Sequence, residues 1–77
     1  MKRFQILGTG CSKCKKLAEN AAAAATELGL DFEIIKVTEI SEMLQFRVMA
    51  LPALAVDGDV RVAGRVPSVL ELKGMLV

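Results

Sequence analysis

Two cysteines three positions apart, Cys11 and Cys14, have the clearest capacity for chemistry in this chain, and they are its only cysteines. They stand in Gly10-Cys11-Ser12-Lys13-Cys14, directly after the apolar residues Phe4, Ile6 and Leu7 and directly before a long run of helix formers. At a strand-to-helix junction, thiols at this spacing can close a small disulfide ring. The unpaired N–H groups and positive dipole end of the helix favour a thiolate at one of the sulfurs. The residues therefore predict a redox-active dithiol, with Cys11 at the helix tip as attacking nucleophile and Cys14, one turn inside, as resolving thiol. Lys13 is the nearest cation and is expected to stabilise the thiolate; Lys15 and Lys16 are expected to be solvated and to add less. Exchange would run by attack of Cys11 on a substrate disulfide, formation of a mixed disulfide, and release of the reduced product by Cys14.

Other chemistries are narrowed by what the chain lacks. It has no histidine, which removes the usual general base and metal ligand and any Ser/His or Cys/His arrangement. A structural zinc normally takes four ligands, so two thiolates would require a dimer sharing two pairs. A Cu(I)-type carrier needs only two thiolates and is the sharper rival, since such domains also place CxxC at a first strand–helix junction. Their plan, however, ends in a strand. An accidental pair of reduced buried thiols is the plainest alternative.

Composition sets the frame for that site. The 77 residues suit one domain, expected over 1–77, with a single modest core. Apolar residues make up 53% and only three are aromatic, all phenylalanine, so the core must be mainly aliphatic. The net charge of +1 is too balanced for a nucleic-acid surface, although five of the ten basic residues lie among the first sixteen. One cysteine pair spanning so short a loop would add little as a structural clamp, and a cytoplasmic setting in which the pair cycles fits better. The start, Met1 to Cys11, resembles a lipoprotein signal only superficially, because its apolar core falls far short of the roughly 7–15 residues required. No segment approaches the roughly 20 apolar residues of a membrane span.

The elements that must position the cysteines follow from periodicity and punctuation. Residues 3–7 read as a buried strand, and Gly8-Thr9-Gly10 as a flexible loop delivering Cys11 to a helix. Residues 12–28 read as that helix, with an apolar stripe of Leu17, Ala21, Ala24, Ala25 and Leu28 and a cap at Gly29. Its alanine run is expected to let the helix lie close on a sheet. Residues 32–37 form a second strand, making a βαβ unit with parallel pairing. Ile40, Met43 and Leu44 suggest a short amphipathic helix. After Leu51-Pro52, residues 53–56 resume in extended form, Asp57-Gly58 signals a hairpin, and 60–63 form its second arm. Ser68 and Glu71 have capping-box spacing, and Val69, Leu72, Met75 and Leu76 give a last helix its buried face. The order is β-α-β-α-β-β-α, an α/β plan with a four-stranded mixed sheet flanked by helices.

Cys11-x-x-Cys14 after the first strand, Leu51-Pro52 before the third, Asp57-Gly58 in the hairpin and Gly64 after the fourth together resemble the thioredoxin superfamily. The likeness is to its small prokaryotic redox-active disulfide proteins, marked by Gly-x-Gly-Cys-x-x-Cys, and covers essentially the whole chain. The resemblance implies a thioredoxin-like fold and a protein-disulfide reductase that carries electrons in its own disulfide and needs no dissociable cofactor. Implied partners are protein or small-molecule disulfides and a disulfide reductase, with no nucleic acid, membrane or metal; a monomer is expected. By position, Pro52 would be the superfamily's cis-proline facing the disulfide, with the backbone of Leu51 pairing with a substrate strand. From spacing alone, a trans strand-edge proline is equally admissible. The chain also departs from thioredoxin itself. Gly10 and Ser12-Lys13 replace the Trp-Cys-Gly-Pro-Cys surroundings, and Gln5 falls where thioredoxin carries a buried carboxylate. Lys36 falls where thioredoxin has a lysine on the neighbouring strand, and a solvated strand-end lysine reads equally well. Ala50-Leu51-Pro52 and Gly64-Arg65 match glutathione-binding glutaredoxins poorly.

Overall fold

The structure, a computed structural model, describes residues 1–8, 12–48 and 50–76. Among the described residues the order is β1 (Lys2–Leu7), α1 (Ser12–Glu27), β2 (Phe32–Val37), α2 (Ile40–Gln45), β3 (Ala53–Val56), β4 (Asp59–Ala63) and α3 (Val69–Leu76). The sheet runs β2-β1-β3-β4, with β1 parallel to β2 and the other pairs antiparallel. The expected mixed four-stranded α/β plan is therefore present. Element ends differ by a residue: β1 starts at Lys2, α1 stops at Glu27 and β4 starts at Asp59.

Strand alternation divides the interior into two layers. Phe4 and Ile6 of β1 and Leu54 and Val56 of β3 face one side, where Leu17, Ala18, Ala21, Ala24 and Ala25 of α1 and Leu72 and Leu76 of α3 pack on them. Leu7, Ala53 and Ala55 face the other side, with Val37 of β2 and Met43 of α2. Every residue of β3 is consequently buried, as a strand covered on both faces must be. The alanines of α1 present only methyl groups to the sheet, so the helix axis can approach it closely. At the far end, the Gly29 amide donates to the Thr26 carbonyl and the Leu30 amide to the Ala25 carbonyl, with Gly29 at φ +70°. This is the Schellman arrangement, and it turns the chain toward β2.

The hairpin forms as its residues predict. Asp57 and Gly58 both have positive φ, +52° and +91°, the primed turn that matches strand twist. Asp57 also ties the turn to β1, its amide donating to the Arg3 carbonyl and its Oδ1 accepting the Arg3 amide at 2.9 Å. One expectation fails at α2. Only Met43 reaches the core, while Ile40 and Leu44 are 68% and 69% exposed. A helix of six residues makes fewer than two turns, so a single side chain, Met43, is seated on the sheet while Ile40 and Leu44 stay in solvent.

Ser68 and Glu71 close the expected capping box on α3. The Ser68 amide donates to Glu71 Oε1 at 3.3 Å and the Glu71 amide to Ser68 Oγ at 3.2 Å. Arg65 donates from Nη1 to Glu71 Oε2 at 2.8 Å. That hydrogen bond, followed by the one from the Ser68 backbone, holds the Glu71 carboxyl below the ordinary glutamate range. A carboxyl with a depressed folded-state pKa contributes stability above its unfolded value, and that contribution disappears as pH falls through the folded value. Glu71→Gln is thus expected to lower the melting temperature at pH 7 and to bring the pH 7 and pH 3 values closer together. Thermal melts across that range check this; an unchanged acid slope refutes it.

Candidate active site

The site lies where β1 ends, α1 begins and β3 is entered. Gly8, expected as part of a flexible loop, is instead buried and held: its amide donates to the Val37 carbonyl at 3.1 Å, the last rung of the β1–β2 ladder. The correction has a simple cause, since the parallel partner strand continues to Val37 and offers that carbonyl. Thr9, Gly10 and Cys11, the rest of the expected loop and the expected nucleophile, lie outside the described residues.

Cys14 occupies the first turn of α1 and is 7% exposed. Ser12, Lys13, Lys15 and Lys16 around it are exposed, because the helix turns only one side in four toward the sheet there. A Cβ built on Gly8 would overlap the Cys14 sulfur, and it would lie 3.9 Å from Pro52 Cβ. Cys14 and Pro52, 38 positions apart, therefore converge on the bare α-carbon of Gly8.

Pro52 is buried and follows Leu51 through a cis peptide bond. Leu51 itself is 43% exposed, leaving an apolar side chain at the surface beside the buried proline. The carbonyl of Pro52 accepts the Gly64 amide at 2.8 Å, which joins the start of β3 to the end of β4. Gly64 has φ +82°, and a Cβ there would stand 3.0 Å from Ala50 Cβ, so the position takes glycine on both counts.

Gln5 and Lys36, which fall where thioredoxin carries a carboxylate and a lysine, take ordinary structural positions. Gln5 Oε1 accepts the Gly58 amide at 3.2 Å, which commits the side chain to the hairpin rather than to Cys14. Strand alternation also puts Gln5 on the α2 side of the sheet, opposite the cluster that holds Cys14. Lys36, near the end of β2, is exposed. Among the described residues no polar or charged side chain is buried. The residue that sequence reasoning missed is Gly8. Gly8 carried a signal, a glycine closing an apolar strand immediately before the cysteines, but glycine there reads as flexibility until the sulfur is placed against it.

A family model described as the thioredoxin domain matches residues 2–77. The chain belongs to the thioredoxin family. A protein named thioredoxin from Methanothermobacter thermautotrophicus is 46% identical over 76 residues, covering 99% of each chain. A second thioredoxin, from Methanocaldococcus jannaschii, is 44% identical over 70 residues, covering 91% of this chain and 80% of its own. The thioredoxin resemblance read from Cys11-x-x-Cys14, Leu51-Pro52 and Gly64 is thereby established at the level of the family. No helix among the described residues is long and apolar enough to cross a membrane.

Proposed function

We propose that this protein is a thiol–disulfide oxidoreductase, acting as a protein-disulfide reductase through Cys11 and Cys14. The observation that carries the reading is the placement of Cys14: a sulfur in the first turn of α1, seated against Gly8 beside Pro52, with Cys11 three residues earlier in the chain. A buried thiol there is sheltered from external disulfides but lies within reach of a neighbour in a 14-membered disulfide ring. In the proposed cycle the Cys11 thiolate attacks one sulfur of a substrate disulfide and the other leaves as a thiolate. Cys14 then loses its proton to solvent and attacks the Cys11 sulfur, which expels the second substrate thiolate. The substrate gains two electrons and the protein is left as the Cys11–Cys14 disulfide, to be reduced again by a disulfide reductase or a dithiol.

Lys13, exposed between the two cysteines, supplies positive charge that favours the Cys11 thiolate. Leu51 and Pro52 are the proposed contacts for substrate, the exposed side chain and backbone of Leu51 flanking the proline. The protein would work as a single-domain monomer over residues 1–77, in the cytoplasm, where reducing conditions keep such a pair cycling rather than locked.

Turbidimetric reduction of insulin by dithiothreitol tests the reading. The wild-type protein is expected to accelerate precipitation, and Cys11→Ser to return the rate to that of dithiothreitol alone. Equal rates for wild type and Cys11→Ser would defeat it. A tight stoichiometric Cu(I) complex in anaerobic titration, coupled with no acceleration of insulin reduction, would assign the thiolates to soft-metal carriage instead.

A further inference from the structure

We propose that Gly8 is a positioning residue for the resolving step: its missing side chain is the space in which the Cys14 sulfur sits. The inference rests on the exchange reading above and adds to it a residue that does no chemistry of its own. Three observations support it. First, among the described residues a Cβ on Gly8 conflicts with Cys14 Sγ, whereas Cys14 Cβ at 3.5 Å and Pro52 Cβ at 3.9 Å are ordinary contacts. Second, the Gly8 backbone cannot easily give way, being buried and hydrogen-bonded to Val37 as a continuation of the sheet. Third, Cys14 is anchored by α1, whose next turn is locked by Leu17 and Ala18 in the core.

An added methyl at position 8 therefore acts on the sulfur rather than on the fold. Cysteine has three staggered wells, so displacement from its seat moves Sγ to another of them, away from Gly8. Nothing in this argument alters Cys11, so the first attack on a disulfide stays intact and only the second, intramolecular attack loses its geometry. Misplacement of a reacting atom on this scale slows such a step by about 10- to 100-fold.

The test uses one equivalent of 5,5′-dithiobis(2-nitrobenzoate) per reduced protein and follows thionitrobenzoate release by stopped flow. Attack by Cys11 releases the first thionitrobenzoate and leaves an aryl mixed disulfide; attack by Cys14 on the Cys11 sulfur releases the second and forms the protein disulfide. Wild type is expected to release two equivalents with no resolved lag. Gly8→Ala is expected to release the first at the wild-type rate and the second about 10- to 100-fold more slowly. Two equivalents at wild-type speed from Gly8→Ala would overturn the positioning role and leave the exchange reading intact. A wild-type protein that stops at one equivalent would instead strike the exchange reading itself. Denaturation midpoints add a readout independent of turnover, using Cys14→Ala to remove the sulfur. Any midpoint lost in Gly8→Ala, or outright failure to fold, should be recovered in Gly8→Ala/Cys14→Ala. A double variant as unstable as Gly8→Ala alone would show that the conflict lies with some other atom, and the proposal would fall.

Discussion

Phe4→Ala is expected to lose about 3–5 kcal/mol of unfolding free energy, the largest stability effect of any single truncation in this chain. Phe4 is 0% exposed at the middle of β1, paired with Ile34 on one side and Val56 on the other. Its ring stacks on Phe32 with centroids 5.5 Å apart and planes at 21°, so the truncation removes an aromatic pair as well as buried area. A domain of this length has in total only about 4–12 kcal/mol to lose. The variant should therefore be partly unfolded near physiological temperature. Urea unfolding by circular dichroism checks this, with the midpoint expected to fall while the slope stays near wild type. A loss below about 1 kcal/mol would mean that α1 and α3 collapse into the vacated space, which the close seating of the α1 alanines argues against.

The second large effect concerns the cysteines. Cys14→Ser, given a disulfide substrate, is expected to accumulate a mixed disulfide through Cys11 with near-stoichiometric yield, visible on a non-reducing gel. Without an internal thiol to expel the substrate, the adduct should last minutes to hours, the timescale of unassisted disulfide rearrangement. Cys11→Ser should form no such adduct, because Cys14, the remaining cysteine, is only 7% exposed and its sulfur is seated against Gly8, out of reach of an external disulfide. Adduct on Cys11→Ser and none on Cys14→Ser would reverse the two roles. The wild-type protein is the control and should show adduct only transiently.

Both outcomes depend on how nearby and distant residues combine. The features legible in the sequence are those made by neighbours in the chain. Ser68 and Glu71 cap α3 through contacts three residues apart. Asp57 and Gly58 make their turn because side-chain type sets which φ values are cheap. Leu17, Ala21, Ala24 and Ala25 lie on one face because a helix repeats every 3.6 residues. Ile40 and Leu44 show the limit of such reasoning. Their spacing matches a buried helix face, yet burial requires a partner surface, and of α2 only Met43 is buried, among Leu7, Val37, Ala53 and Ala55. Gln5 shows the same limit: its distance along the chain from the cysteines is plain from the sequence, but the sheet face it points to follows from strand pleat and pairing.

The chain alone determined the β-α-β-α-β-β-α order, the helix that carries Cys14 and the candidate chemistry of a cysteine pair, since each follows from residue types within about a dozen positions of one another. Only the tertiary structure decided that Gly8 is anchored rather than loose, that Pro52 comes to the same α-carbon as Cys14, and that Gly64 holds the Pro52 carbonyl. Those meetings join segments dozens of residues apart. They arise because β1 lies between β2 and β3, and no local preference encodes which strands will be neighbours.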